Sequence, residues 1–135
     1  MAEQIEGRAR ELIEAPNFCY LATLRKDGTP HVNPTWVDIE DGEVLLNSAE
    51  GRAWPANLRR EGQATLIVPD KDNPYEYVEI RGRLSGDTHE GADSHIDALA
   101  KKYLGVDEYP FRQPGEQRVI FKIEPESVFH YSPGG

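Results

Sequence analysis

Cysteine is almost missing from this chain. Cys19 is the single one among 135 residues, so no intrachain disulfide can form and a reducing compartment is expected. Long apolar runs are missing too: no stretch approaches the roughly 18 apolar residues of a membrane-spanning helix. The opening MAEQIEGRARELIE carries too many charges for a signal peptide. These features together lead to the expectation of a soluble cytoplasmic protein with no membrane partner. Basic residues are outnumbered, 15 Lys plus Arg against 24 Asp plus Glu for a net charge of −9, and nucleic acid is a poor partner for such a surface because phosphate contacts need a basic stripe. The glycine-rich phosphate loops of Rossmann and P-loop proteins do not occur. Asn33-Pro34-Thr35 has proline in its middle and is no glycosylation acceptor. No metal site is expected either: His89 and His95, with Asp93 and Asp97, offer ligand types, but the two histidines stand six apart and do not share a helical face; a solvated helix is the simpler reading.

What is present fits one folded domain over residues 1–135. Hydrophobic residues make up 38% and charged ones 29%, polar for a globular chain but too rich in Val, Ile, Leu and aromatics for a disordered one. Ile5, Ala9, Leu12 and Ile13 recur at helical spacing, which predicts a helix from Ala2 to Glu14, within 1–16, stopped by Pro16. Apolar and aromatic runs then predict strands over 18–24, 29–39, 44–47, 64–69, 75–84 and 118–123, separated by turn signals such as Lys26-Asp27-Gly28 and Glu40-Asp41-Gly42. A short helix is expected over 52–60 with Pro55 in its first turn, and a longer one over 88–103. The Gly/Pro-containing end, 128–135, reads as a flexible tail. Many short strands with few helices indicate a mainly β fold, an antiparallel sheet of about six or seven strands closed on itself with about three helices.

Arg52, Arg59 and Arg60 form a cationic island in an acidic chain. A helix N-terminus beside guanidinium groups is a ready phosphate site, with Arg52 best placed at the loop-to-helix entry. For Arg59 and Arg60 a solvated face balancing nearby carboxylates is an equal alternative. Pro34 inside a strand removes a ladder donor and marks an edge or a bulge, freeing neighbouring backbone for a ligand. Cys19, between Phe18 and Tyr20, reads as a small buried hydrophobe.

Tyr20-Leu21-Ala22-Thr23-Leu24, the Asp27-Gly28 turn, Pro30, Val32, Asn33-Pro34-Thr35-Trp36, Leu45-Leu46-Asn47-Ser48, Arg52-Ala53, Asn57-Leu58-Arg59-Arg60, Tyr109-Pro110 and Pro114-Gly115-Glu116, in this order, resemble the pyridoxamine 5'-phosphate oxidase-like FMN-binding split barrels. The resemblance is strongest to the small actinobacterial, F420-dependent (deazaflavin) branch. It implies a homodimeric split barrel that binds coenzyme F420, or alternatively FMN, at the dimer interface. The implied activity is an F420-dependent oxidoreductase passing hydride to a small unsaturated or quinone-like acceptor. The implied cofactor-binding residues are Asn33, Pro34, Thr35 and Trp36 along one edge, Asn47, Ser48 and Ala49 along another, then Arg52, Ala53, Trp54 and Asn57, with Tyr75 and Tyr77 reaching across from the partner. Tyr77 or a water is the candidate proton donor. Where many relatives carry a lysine two residues after the phosphate-binding arginine, this chain has Trp54, whose indole either stacks on the ligand or anchors the helix on the barrel. A non-catalytic flavin or deazaflavin carrier or sensor, and a dimeric barrel without cofactor, are the alternatives.

Overall fold

The computed structural model describes residues 3–133, and among them lie seven strands and three helices. In chain order these are α1 (Gly7–Glu14), β1 (Cys19–Leu24), β2 (Pro30–Thr35), β3 (Asp38–Glu40), β4 (Glu43–Ala49), α2 (Ala53–Glu61), β5 (Gln63–Asp70), β6 (Asn73–Thr88), α3 (Ala92–Leu104) and β7 (Arg118–Tyr131). All pairings are antiparallel and make one sheet in the order β2-β1-β5-β6-β7-β4-β3. The two edge strands, β2 and β3, are joined by only Trp36 and Val37. Three backbone steps span at most about 11 Å, so a sheet whose opposite edges are that close must curl on itself. This is a split barrel, with the split between β2 and β3.

The curl is built into β6 and β7. Register shifts at Arg81/Gly82 and Leu84/Gly86 bend these long strands against each other. Gly82 is required there: a Cβ would sit 2.5 Å from Ile123 Cγ2 and 2.7 Å from the Glu124 carbonyl oxygen. The barrel interior is filled by side chains including Leu21, Leu46, Leu66, Ile80, Phe121 and Ile123, all fully buried, and α1 closes one side with Leu12 and Ile13. Asp41 (φ 54) and Gly42 (φ 79) both lie in the left-handed region and form the tight turn between β3 and β4, as Asp-Gly hairpin turns require.

Several expected boundaries are corrected. The first helix begins at Gly7; Ile5 is buried just ahead of it, and Ala2 lies outside the described residues. The expected strand 29–39 is two strands on opposite edges, because side chains of α3 replace ladder partners at the corner. Val37 N–H donates to Tyr103 Oη at 3.1 Å, and Lys102 Nζ donates to the carbonyls of Val37 at 2.7 Å and Ile13 at 2.6 Å. The expected strand 75–84 runs from Asn73 to Thr88, so α3 starts at Ala92 and not at residue 88. The last strand continues through Pro125 to Tyr131, with Pro125 taken up at a bulge opposite Gly82 where no ladder donor is needed. Residues 128–131 are therefore strand and not tail; residues 134–135 lie outside the described residues.

Candidate functional site

A cleft of about 220 Å3 opens beside the barrel split, lined by Phe18, Pro34, Thr35, Trp36, Asn47, Arg52, Ile96, Tyr109, Phe111 and Arg118. Its first wall is aromatic. Trp36, from the β2–β3 corner, stacks on Tyr103 with centroids 5.2 Å apart and meets Tyr109 edge-on at 5.9 Å; Phe18 and Phe111 extend the row at 5.8 and 5.7 Å. Phe18 and Phe111 are exposed, so flat apolar surface faces open space beside them. The second wall is the rim of β2. This strand pairs only with β1, in unbroken register from Cys19↔Thr35 to Leu24↔Pro30, so Pro34 marks an edge and not a bulge.

The third wall is polar and comes from three elements. Arg118, the first residue of β7, has a side chain only 2% exposed. Its Nε donates to Asn47 Oδ1 at 3.0 Å and its Nη1 to Glu116 Oε1 at 3.1 Å, while the Tyr109 ring covers the guanidinium at 5.1 Å. Arg52, at the N-cap of α2, is half exposed and donates from Nη2 to the same Glu116 oxygen at 3.3 Å. Asn47 Nδ2 donates to the Ala92 carbonyl and approaches His95 Nδ1 at 3.0 Å; His95 Nε2 lies 3.0 Å from Asp38 Oδ2. With Asn47 oriented by a donor on one side and an acceptor on the other, His95 Nδ1 must accept and Nε2–H must donate to Asp38. Burial pushes the Asp38 carboxyl up, but hydrogen bonds from the His95 ring and the Ile39 amide outweigh it and hold the group below its usual value. His95 is thus a part-buried, hydrogen-bonded group, contrary to the solvated helix expected from sequence.

Of the residues singled out by the sequence, the fold brings Pro34, Thr35, Trp36, Asn47 and Arg52 to this cleft. The others go elsewhere. Asn33 shares the inward face with Leu21, and Ser48 turns into the barrel interior; Asn33 Oδ1 and Ser48 Oγ are buried without partners among the described residues. Ala49 is buried opposite Arg118 in the β4–β7 ladder, and Ala53 is exposed in the first turn of α2. Trp54 packs into the core on Phe121 at 5.2 Å, so the anchoring alternative describes it. Asn57 is buried and donates to Thr23 Oγ1 at 3.2 Å. Tyr75 and Tyr77 lie on β6, three strands from Pro34 along the row Pro34–Tyr20–Ile67–Glu79. That is about 14 Å at strand spacing, out of reach of the cleft within one chain.

The cationic island does not hold together. Arg59 donates to both oxygens of Glu50, at 2.6 and 2.9 Å, and to Asp87 at 3.2 Å; Arg60 bonds Glu61 and the Leu24 carbonyl. Those two arginines follow the carboxylate-balancing alternative, and only Arg52 of the three faces the cleft. Its companion there, Arg118, was missed by sequence reasoning, because nothing local distinguishes an arginine at the head of an apolar strand from a surface one. Tyr109 and Phe111 were missed because they belong to an irregular loop. Burial pushes the Cys19 thiol up from its ordinary value, in keeping with an inert buried side chain. Among the described residues no helix is long and apolar enough to cross a membrane.

The family profile described as pyridoxamine 5'-phosphate oxidase matches residues 5–132. No curated protein matches the sequence. Among solved structures, that of an F420 reductase is 28% identical with a TM-score of 0.78, the match covering 89% of this chain and 94% of that one. A conserved hypothetical protein from Mycobacterium tuberculosis is 20% identical with a TM-score of 0.74, over 97% of this chain and 86% of that one. General stress protein 26 from Bacillus anthracis is 18% identical with a TM-score of 0.63, over 89% and 88%. These last two show likeness of fold alone.

Proposed function

Since the chain belongs to the pyridoxamine 5'-phosphate oxidase family, we propose that it is an oxidoreductase that binds coenzyme F420 in this cleft and passes hydride to a small unsaturated or quinone-like acceptor. One observation carries the reading: a row of aromatic rings and two guanidinium groups meet in a single cleft at the edge of the sheet. Such a combination suits a ligand with a planar ring and an anionic tail. The 28% identity to an F420 reductase favours the deazaflavin. When bound, that group supplies two-electron hydride chemistry. The protein's part is to bind and orient it. Trp36, Tyr109, Phe18, Ile96 and Phe111 would supply an apolar wall for its ring, and Arg52 would hold its tail.

The cleft of about 220 Å3 is smaller than the roughly 300–1,000 Å3 of ordinary ligand sites, and a second copy of the chain completes it. The same face of the sheet exposes Tyr20, Val32, Phe129 and Tyr131, with Pro34 common to this face and the cleft rim. An apolar face of this kind suits a homodimer. Across such an interface Tyr77, stacked on Tyr131 at 5.5 Å, gains a route to the partner's cleft as a proton donor. A cytoplasmic setting agrees with a single buried thiol.

FMN is the second reading, and Arg118 favours it. The lysine missing at Trp54 counts against a compact terminal phosphate, but a second guanidinium beside Arg52 supplies the cation from another element. The test is titration of the purified protein with F420, following ligand fluorescence and thermal unfolding. Ligand at about 100 times its Kd stabilises the fold by about 2.7 kcal/mol. No response at about 50 µM, well above the Kd of a specific cofactor site, sinks the deazaflavin reading, and a yellow protein with a flavin absorption band transfers the function to FMN.

A further inference from the structure

Arg52 and Arg118 reach the cleft from different elements, the N-cap of α2 and the head of β7, and converge on one oxygen atom. Glu116 Oε1 accepts from both, at 3.3 and 3.1 Å, while Oε2 is buried with no partner among the described residues. The Glu116 side chain is only 4% exposed. A carboxylate placed purely for stability uses both oxygens, because a buried acceptor left unmet costs about 1–3 kcal/mol. Each guanidinium carries five N–H donors, of which Arg52 uses one and Arg118 two on side-chain acceptors among the described residues. Two cations therefore share one poorly engaged anion, and the first turn of α2 beside them has no side-chain cap and no acidic residue. Two guanidiniums against one carboxylate leave an excess positive charge at this wall of the cleft.

We propose that Arg52 and Arg118 form a two-guanidinium oxyanion site in which Glu116 is a resident counter-ion, giving up its Arg52 bond to a phosphate or carboxylate group of the ligand while staying on Arg118. Asn47 positions Arg118, since the bond from Arg118 Nε to Asn47 Oδ1 sets the plane of the guanidinium. Bidentate geometry is available to the ligand because Arg52, half exposed, is free to turn. The inference rests on the cleft being the ligand site of the proposed function, and bare anions test it separately from the cofactor.

The test uses the full chain and inorganic phosphate as probe, at constant ionic strength set with chloride, read by thermal unfolding and by the Arg Nε–H signals in 15N NMR. Phosphate is expected to stabilise the protein and to shift the Arg118 Nε–H signal. Glu116→Gln removes the internal competitor and is expected to tighten phosphate about tenfold, the size of one charge-assisted hydrogen bond. Glu116→Gln combined with Arg118→Gln is expected to abolish the response. If phosphate leaves the Arg118 signal unmoved in the unaltered protein, or if the variants respond as the unaltered protein does, the proposal falls; the NMR measurement decides the matter even where a variant fails to fold. Displacement of phosphate by F420 or FMN assigns the site to the cofactor's phosphate. Displacement by benzoate only, in cofactor-loaded protein, assigns it to an acceptor carboxylate, and displacement by neither removes the site's ligand role. Phosphate binding as described with no cofactor binding keeps the oxyanion site and sinks the function proposed above.

Discussion

Arg52 and Arg59 stand seven residues apart in one stretch of sequence, yet their surroundings are opposites. Around Arg59, one guanidinium is shared by two carboxylates: Glu50 binds it through both oxygens, Asp87 takes Nε, and the Phe121 ring lies beneath at 5.0 Å. Around Glu116 the ratio is inverted, with two guanidiniums on one oxygen. Seven residues is about two helical turns, so helical phase alone directs both to the same side. The partners make the difference, and they come from the end of β4, the end of β6 and the loop before β7. A charge is available to a ligand only when the fold has not already neutralised it.

That contrast can be broken or sharpened experimentally, and the largest effect is expected at Trp54, which lies between the two arginines in sequence. Trp54, in the first turn of α2 and packed on Phe121, is a core residue here; Trp54→Ala is expected to cost about 3–5 kcal/mol in urea unfolding. A loss under about 1 kcal/mol, accompanied by weaker cofactor binding, would move Trp54 to the ligand side of the contrast. Next comes the arginine pair. Arg52→Ala is expected to weaken cofactor binding about 10- to 100-fold, as loss of a charge-assisted contact does, with stability changed by less than about 0.5 kcal/mol. Arg59→Ala should show the reverse, a stability loss of about 1 kcal/mol with affinity unchanged. Equal effects of the two substitutions on affinity would erase the distinction.

The smallest effect is a pH dependence. Hydrogen bonds from Arg59 and then His89 hold the Glu50 carboxyl down at about 2, against an ordinary value of 4.5. A carboxyl depressed in the folded state contributes stability above its unfolded value and loses it as pH falls toward the folded one. Unfolding free energy should therefore decline between about pH 5 and 2, with this pair contributing less than about 1 kcal/mol because it is partly solvated. Glu50→Gln should flatten that part of the profile in acid denaturation followed by circular dichroism. A profile that is unchanged in Glu50→Gln would show that the Arg59 cluster is no more engaged than Arg52.

Most strands were legible because turn chemistry and apolar runs are local signals. Asp41-Gly42 is an instance: the residue types demand left-handed backbone, and the chain turns there. Boundaries failed where a distant element intervened. Trp36 and Val37 continue an apolar strand pattern, but Lys102 and Tyr103 take the backbone bonds a ladder needs. Pro125 reads as a strand end, and the bulge opposite Gly82 accommodates it. In the site, Pro34 and Arg52 were visible through residue type at element edges, whereas Trp36 and Asn47 came only from the family resemblance. Asn57 and Trp54 share their segment with Arg52 but face the barrel, a distinction that depends on what lies beneath α2.

The amino-acid sequence by itself determined the class of fold, the number and rough order of its strands, the lone thiol and the acidic surface, because propensity, turn residues and composition act over a few residues or over the whole chain at once. Only the tertiary structure decided which arginines keep unneutralised charge, that Arg118 joins Arg52 across 66 residues of chain, and that β2 and β3 part to open a cleft. Those outcomes depend on register between strands distant in sequence, and a long-range contact leaves no periodic trace in the residues that make it.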